Sequence, residues 1–272
     1  MATGVIARLP WLAKWSGRMI QIKTPHEIEL MRASGLVTAG AIKAVKAAVA
    51  PGVSTGELDA VAEDYIRSQG GFPTFKGYRG YPASICTSPN DMVVHGIPRP
   101  YALADGDVLS VDVGVTLDGF VADSAYTFPI GEISADAEHL LEACKAALAA
   151  GIAECRPGNR LSDISHAIQG ATEEQGFSVI RSLVGHGVGR AMHEEPQIPN
   201  YGPPGRGPVL AAGMTFAIEP MINAGGPEVV VHDDEWSIST EDGSLSAHFE
   251  HTVAITEDGP RILTNVREGV HT

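Results

Sequence analysis

The chain has 272 residues, of which 44% are hydrophobic and 19% charged, as is ordinary for a globular protein of one large or two small domains. Its formal net charge of −14 argues against a nucleic-acid backbone as the main partner, because phosphate binding needs clustered Lys and Arg. The apolar runs near the N-terminus are too short for a signal peptide or a membrane span, and the sparse cysteines Cys86, Cys144 and Cys155 form no CxxC pair, so we expect a cytoplasmic protein.

Two helices are predicted at the start of the chain. Thr24-Pro25-His26-Glu27 combines a capping box with proline at the first helical position. Apolar residues then recur at helical spacing until Pro51-Gly52 ends the run. Ser54-Thr55-Gly56-Glu57 is a second capping box, and it predicts a helix that ends near Gly70-Gly71.

A β-hairpin is predicted around Asp118-Gly119, which is a strong two-residue turn signal. The strand before it, residues 108–115, is apolar except for Asp112 and one serine, and an ionised carboxylate there is costly unless it is paired or bound to a metal. With this turn, Asp112 and Asp123 become diagonal neighbours on one sheet face, with Cβ atoms roughly 7–8 Å apart or somewhat less. Two such carboxylates can share one cation or bridge two; the alternative is that Asp123 is merely the polar end of a strand.

A weak internal repeat underlies the pattern of elements. Pro51-Gly52 recurs as Pro157-Gly158, an offset of 106, each time just before a capped helix. At an offset of 107, Asp112 corresponds to Glu219. Chance can produce one or two such matches, but their preserved order favours two similar α+β halves that pack together. The serines predicted to cap the two helices of the second half are Ser134 and Ser162.

The second half supplies further groups of the same chemical type. Residues 215–220 embed Glu219 in an apolar strand, and in the alternating run at 246–251 the side chains of His248 and Glu250 share one face. The glycines around His186 leave little bulk, so backbone and substrate can come close to the imidazole. Carboxylates together with one imidazole predict a site for Mn²⁺, Fe²⁺, Co²⁺ or Zn²⁺ and do not choose among them.

Across about residues 20–265 the chain resembles a type I methionine aminopeptidase. The motifs that carry the resemblance are Gly77-Tyr78-Arg79-Gly80-Tyr81-Pro82, Val94-His95-Gly96-Ile97-Pro98, Gly185-His186-Gly187-Val188-Gly189-Arg190, His193-Glu194-Glu195-Pro196 and Phe216-Ala217-Ile218-Glu219-Pro220-Met221. The resemblance implies an α+β pita-bread fold, in which two pseudo-symmetric halves form a curved antiparallel sheet covered by helices around a central metal site. Residues 20–272 are then a single catalytic domain, and residues 1–19 are an N-terminal extension that we expect to be poorly ordered.

The resemblance also implies the site residues. Two divalent metal ions are expected, bridged by Asp123 and Glu250, and the implied metal ligands are Asp112, Asp123, His186, Glu219 and Glu250. His95 and His193 are expected to contact the substrate and, with Glu219, to serve catalysis. The residues expected to build the methionine pocket or its wall are Tyr78, Tyr81, Cys86, Trp236 and Met192.

The implied reaction is hydrolysis of the Met–Xaa bond at the N-terminus of a nascent polypeptide, by attack of a metal-bridging hydroxide and with preference for a small second residue. We expect a monomer that binds neither nucleic acid nor membrane. Three positions depart from the pattern: Met192 stands where a well-known relative has Phe, His248 where it has Gln, and Phe75 where relatives can have Cys. These departures concern side-chain preference more than activity.

Two rival functions stay open. The first is a proline-specific peptidase of the same fold, which would use a similar set of five ligands. Such enzymes usually carry a sizeable additional N-terminal domain, whereas about twenty residues precede the first capped helix here. The second is a metal-free binding module. A module of that kind is expected to have lost at least one ligand, yet all five are present in this sequence.

Overall fold

The computed structural model describes residues 19–265. The predicted N-terminal extension, residues 1–19, therefore lies outside the described residues except for Met19. Among the described residues, the helices are all too short or too polar to cross a membrane.

The helices begin largely where the caps predict them. The helices of the described chain are α1 (Pro25–Ala48), α2 (Thr55–Ser68), α3 (Ala135–Ala153) and α4 (Leu161–Glu173). In the first capping box, the Glu27 carboxylate accepts the Thr24 backbone N–H at 2.8 Å. Ser54 and Glu57 form the same box at α2, and the Ser134 hydroxyl accepts the Ala137 backbone N–H at α3. These three predictions are confirmed. Each cap could be predicted because it depends on contacts within four residues.

The predicted cap of α4 is wrong. The N-cap of this helix is Arg160, and Ser162 lies inside the first turn. The Asp163 carboxylate accepts the Arg160 backbone N–H at 2.7 Å, so the third residue of the helix makes the capping contact. The Ser162 hydroxyl instead accepts the Arg206 backbone N–H at 2.7 Å, so this serine fixes a distant loop.

The strands form four antiparallel sheets among the described residues. The strands are β1 (Phe72–Pro73), β2 (Cys86–Pro89), β3 (Met92–Val94), β4 (Val108–Leu117), β5 (Phe120–Pro129), β6 (Ser178–Val179), β7 (Val184–Gly187), β8 (Glu194–Pro199), β9 (Thr215–Ile218), β10 (Met221–Asn223), β11 (Val229–Val231), β12 (Ile238–Thr240), β13 (Ser246–His248), β14 (His251–Thr256) and β15 (Gly259–Ile262). The orders are β1-β4-β2 with β5 paired to β4, β15-β14-β9-β7-β8, β13-β10-β6 and β11-β12-β3.

The β4–β5 hairpin has the predicted register. Asp112 pairs with Ala125, and Gly114 pairs with Asp123. Asp118 and Gly119 form the turn, with φ values of 49° and 78°. Left-handed values at both positions are what a two-residue hairpin turn of type I′ requires. The two carboxylates therefore leave the same face of the sheet, as predicted.

The predicted continuous strand over residues 246–251 is interrupted. Residues 249–250 lie between β13 and β14, because the chain passes there from one sheet to another. His248 pairs with Met221 of β10, whereas His251 pairs with Ile218 of β9. A matching break separates β9 from β10 at residues 219–220. The backbone at Glu250 instead donates to the Ala125 carbonyl oxygen of β5 at 2.9 Å.

Each half has its own core, which agrees with the predicted pair of α+β halves. In the first half, α1 and α2 cover β4 and β5 through buried residues such as Leu58, Ile66 and Val111. In the second half, α3 and α4 cover β9, β10, β13 and β14 through buried residues such as Leu140 and Phe216. The predicted site residues lie where these two halves meet.

Candidate metal centre and substrate cavity

The five predicted metal ligands all line one cavity between the halves, which we call the central cavity. Asp112 and Asp123 come from the adjacent strands β4 and β5, and His186 comes from β7. Glu219 and Glu250 lie at the two matching breaks, directly after β9 and directly before β14. At a break, the side chain can leave the sheet surface and turn into the cavity, so the interruptions themselves place two of the carboxylates.

Three of the five side chains already meet at a distance suited to one cation. Ligand atoms of Asp123, His186 and Glu250 lie within 4.8 Å of one another. The His186 Nε2 atom is 4.0 Å from Asp123 Oδ2 and 3.4 Å from Glu219 Oε1. Asp112 lines the same cavity on the neighbouring strand, and its charge acts on the Asp123 carboxyl. The structure therefore brings all five predicted ligands together.

The backbone around Glu250 joins the two halves beside these ligands. The Asp123 N–H donates to Thr252 Oγ1 at 2.8 Å, and that hydroxyl donates to the Asp123 carbonyl oxygen at 2.8 Å. The Ser124 hydroxyl donates to the Glu250 carbonyl oxygen at 2.6 Å. These bonds hold β5 against the start of β14, so the separation of the Asp123 and Glu250 carboxylates is fixed by the backbone.

The imidazole of His186 is oriented by its own strand. Its Nδ1 lies 2.9 Å from the Gly187 carbonyl oxygen, so Nδ1–H donates and Nε2 keeps its lone pair toward the carboxylates. Burial lowers the pKa of His186 to about 4, which keeps the ring neutral at pH 7. A Cβ atom at Gly185 or Gly187 would lie 2.6 or 2.2 Å from a backbone oxygen of β9 or β8. The glycines thus make room for neighbouring strands.

The buried carboxylates repel one another. Burial, and then the neighbouring carboxylates, raise the pKa of Asp123, Glu219 and Glu250 well above the usual range, and burial raises the pKa of Asp112 to about 7. Asp112 Oδ1, Asp123 Oδ1 and Glu250 Oε1 are buried without a hydrogen-bond partner among the described residues. A buried anionic cluster with open acceptor atoms is stabilised by a bound cation, so these residues fit a divalent metal centre.

The predicted substrate-contacting residues line the same cavity, beside the carboxylates. They are Tyr78, Tyr81, Cys86, His95, Met192, His193 and Trp236. The Tyr81 ring lies edge-on to Trp236 at a centroid distance of 5.1 Å, and its hydroxyl donates to the Gly96 carbonyl oxygen at 2.9 Å. Aromatic rings and sulfur atoms make a wall that suits an unbranched thioether side chain.

The two predicted substrate-contacting histidines are neutral. Burial lowers the pKa of His95 to about 4, and burial followed by the neighbouring His186 imidazole lowers the pKa of His193 well below its usual value. The Tyr78 hydroxyl lies 2.9 Å from His193 Nδ1, and the two rings stack at a centroid distance of 5.5 Å. The Tyr78 hydroxyl thus engages the Nδ1 side of His193 in the cavity wall.

Part of the cavity wall was not predicted from the sequence. Further lining residues are Arg79, Val94, Ser182, Leu183, Val184, Gln197 and Met221. Most of them lie in short strands or connections, where no periodic pattern marks an inward side chain. His248 was predicted to share a strand face with Glu250 and was noted as a departure, but no role was assigned to it. Its Nε2 is buried 4.0 Å from Glu219 Oε2 and has no hydrogen-bond partner among the described residues, so this imidazole also faces the site.

The chain is similar to known peptidases over most of its length. A family model described as metallopeptidase family M24 matches residues 29–257. Methionine aminopeptidase 1 of Bacillus subtilis is 52% identical over 248 residues, which are 91% of this chain and 100% of that protein. The crystal structure of methionine aminopeptidase from Thermotoga maritima is 46% identical with a TM-score of 0.90, covering 91% of this chain and 100% of that one.

A more distant likeness is restricted to the fold. Prolidase from Pyrococcus furiosus has a TM-score of 0.69 at 21% identity, covering 91% of this chain and 66% of that one. Together with the Thermotoga maritima structure, it confirms the predicted α+β pita-bread architecture. The family match over residues 29–257 and the 52% identity to the Bacillus subtilis protein over its full length show that this chain belongs to the methionine aminopeptidases of metallopeptidase family M24.

Proposed function

We propose that this protein hydrolyses the Met–Xaa bond at free N-termini and prefers a small second residue. The observation that carries the proposal is the single cavity in which a cluster of buried carboxylates and His186 adjoins a pocket of aromatic and sulfur-containing side chains. The first feature supplies a place for hydrolytic chemistry, and the second recognises the residue to be removed. The family membership supports the same assignment.

Two divalent cations are proposed as cofactors, and Asp123 and Glu250 would be among their ligands. Asp112 and His186 complete the ligand set together with Glu219. When bound, such cations act as Lewis acids toward a carbonyl and lower the pKa of a water molecule. The ligands, mostly oxygen with one nitrogen, fit Mn²⁺, Fe²⁺, Co²⁺ and Zn²⁺ alike.

The remaining side chains position the substrate and move protons. The side chains of Tyr81, Cys86 and Trp236 enclose the methionine, whose thioether is polarizable and fits an irregular apolar wall. His193, held by Tyr78 through Nδ1, offers Nε2–H to the scissile carbonyl oxygen as negative charge develops there. We assign the proton of the attacking water to Glu219, which lies at the cavity wall beside His186.

We further propose that the protein acts as a monomer in the cytoplasm, where nascent N-termini arise. The three cysteines are buried and unpaired, which suits a reducing compartment. The net charge of −14 supports the expectation that nucleic acid is not a direct partner.

A proline-specific peptidase is the second candidate, because prolidases share the fold. The aromatic and sulfur-lined pocket favours methionine, and the relatives of high identity are named methionine aminopeptidases. Metal-loaded protein mixed with Met-Ala-Ser, Met-Leu-Ser and Ala-Pro-Ser peptides separates the candidates by mass spectrometry. We expect fast loss of Met from the first, slow loss from the second and no cleavage of the third. Cleavage of the third alone would establish the proline-specific activity instead.

A further inference from the structure

The loop that carries His193, residues 189–194, is closed by the carboxylate of Glu194. Glu194 Oε1 accepts the backbone N–H of Arg190 at 2.7 Å and that of Ala191 at 3.2 Å. The other oxygen, Oε2, accepts a short hydrogen bond from the ammonium group of Lys23. We call residues 189–194 the histidine loop. Because Lys23 binds Glu194, the backbone conformation of this loop depends on a residue that lies two positions before α1.

The Lys23–Glu194 ion pair is buried, with side-chain exposures of only 6% and 10%. Lysine is rarely buried unless it is paired, and a buried pair holds its partners in one geometry. The Lys23 backbone N–H also donates to the Gly213 carbonyl oxygen at 2.8 Å, and its ammonium donates to the Gln21 carbonyl oxygen at 3.3 Å. These bonds fix the lysine on the protein body before it engages the histidine loop.

The backbone of the loop packs directly on this ion pair. A Cβ atom at Gly189 would lie 2.4 Å from Lys23 Cε and 2.7 Å from Glu194 Oε1. The carbonyl oxygen of Gly189 accepts the Val121 N–H of β5 at 2.7 Å, two residues before Asp123. The loop is thus confined between the lysine and a strand that carries a proposed metal ligand.

A second contact joins the loop to the same N-terminal segment. Arg190 donates to Glu27 Oε1 at 3.0 Å, and its guanidinium lies 4.4 Å from the centroid of the Phe120 ring. The other Glu27 oxygen belongs to the capping box of α1, where it accepts the Thr24 N–H. The cap of α1 therefore serves a second purpose, because it also anchors the histidine loop.

We propose that Lys23 is a positioning residue for His193. Through Glu194 it fixes the backbone of the histidine loop and thereby the imidazole, whose ring centroid is 4.3 Å from that of His186. The inference rests on the function proposed above for His193 as a donor to the scissile carbonyl oxygen. It makes the segment at residues 21–27 part of the active-site framework, and no pattern in the sequence indicates this.

Steady-state kinetics on a Met-Ala peptide test the proposal with Lys23→Met, which keeps the length of the side chain and removes its charge. Because a small displacement of a catalytic group is costly, we expect kcat to fall about 10- to 100-fold. KM should change less than about threefold, since the methionine pocket is untouched. Lys23→Arg should restore most of kcat, and Lys43→Met, on the exposed face of α1, should match the wild type.

A double-mutant cycle with His193→Ala separates positioning from general damage. If Lys23 acts through His193, Lys23→Met should cause no further loss of kcat in the His193→Ala background. An equal loss in both backgrounds would overturn the proposal, and so would a loss of Mn²⁺ affinity in Lys23→Met measured by calorimetry. Should Lys23→Met not fold, Glu194→Gln offers the same cycle with a nearly isosteric side chain. Failure of the proposed function itself is recognised separately, because the wild type would then not release Met.

Discussion

At Asp123 and Glu250, replacement of a single side-chain atom should have the largest effect on metal binding and activity. Both carboxylates are almost fully buried, and each has an oxygen without a hydrogen-bond partner among the described residues. Replacing one oxygen by an amide nitrogen removes a metal-binding lone pair and leaves the volume unchanged. The effect of such a change therefore reports on cation binding and hardly on packing.

Asp123→Asn and Glu250→Gln should each abolish release of Met and weaken metal binding. The measurements are turnover of Met-Ala-Ser and calorimetric titration with Mn²⁺. Glu257→Gln, an exposed carboxylate in the β14–β15 turn, is the matched control and should behave as the wild type. Normal turnover in either site variant would refute the assignment of two metals.

Met192 should set how strictly the pocket selects methionine. Its side chain is 4% exposed in the cavity wall and is more flexible than an aromatic ring. The wild type should prefer Met strongly and tolerate norleucine, because norleucine replaces the thioether sulfur by a methylene and keeps nearly the same length and shape. Met192→Phe should increase the ratio of Met-Ala to Leu-Ala turnover without much loss of rate on Met-Ala.

Comparing Met-Ala, norleucine-Ala and Leu-Ala peptides with both proteins measures this ratio. An unchanged ratio would show that Met192 does not set the selectivity for methionine. Equal rates on Met and Leu peptides in the wild type would contradict the methionine assignment itself.

At the scale of elements, the β4–β5 hairpin places two carboxylates by means of its turn. Gly119 has a φ of 78°, and a Cβ atom there would meet nothing within 4 Å. Gly119→Ala should therefore destabilise the protein by about 1–2 kcal/mol through backbone conformation alone. Gly170 of α4 is equally open but has no left-handed φ, so Gly170→Ala should stabilise by about 0.5–1 kcal/mol. Chemical denaturation measures both, and changes of equal sign would contradict the turn geometry.

Local signals account for the elements that the sequence predicts. A few neighbouring residues determine the Asp118-Gly119 turn and the helix caps at Thr24, Ser54 and Ser134. These elements can therefore be predicted from the local sequence. The break at residues 249–250 depends on pairing with two strands that are distant in sequence, which no alternation of residues reveals. The residue pattern by itself predicted that carboxylates and one imidazole bind a metal, whereas the individual roles of the site residues came from the family resemblance.

At the scale of the whole molecule, the mutually repelling carboxylates lie at the interface between the two halves. Metal-free protein should therefore lose stability as the pH rises. A carboxyl whose pKa is raised on folding contributes its full stability below its unfolded pKa of about 4, and that contribution is lost as the pH rises through the folded pKa. For Asp112 the folded pKa is about 7, so the window is about pH 4 to 7.

The thermal midpoint of chelator-treated protein, recorded from pH 5 to pH 8, measures this loss. Added Mn²⁺ should raise the midpoint most at the upper end of the range, because the cation offsets the repulsion of ionised carboxylates. A midpoint that rises across this window without metal, or that does not respond to Mn²⁺, would show that the carboxylates are not an isolated anionic cluster.

Anomalous diffraction from a crystal loaded with Mn²⁺ tests the metal centre most directly. We expect two peaks in the central cavity about 3.5–4 Å apart. The carboxylates of Asp123 and Glu250 should each contact both ions, with Asp112, His186 and Glu219 as the other protein ligands. Peaks outside the cavity only, or ions in the cavity that none of these five side chains contact, would contradict this expectation.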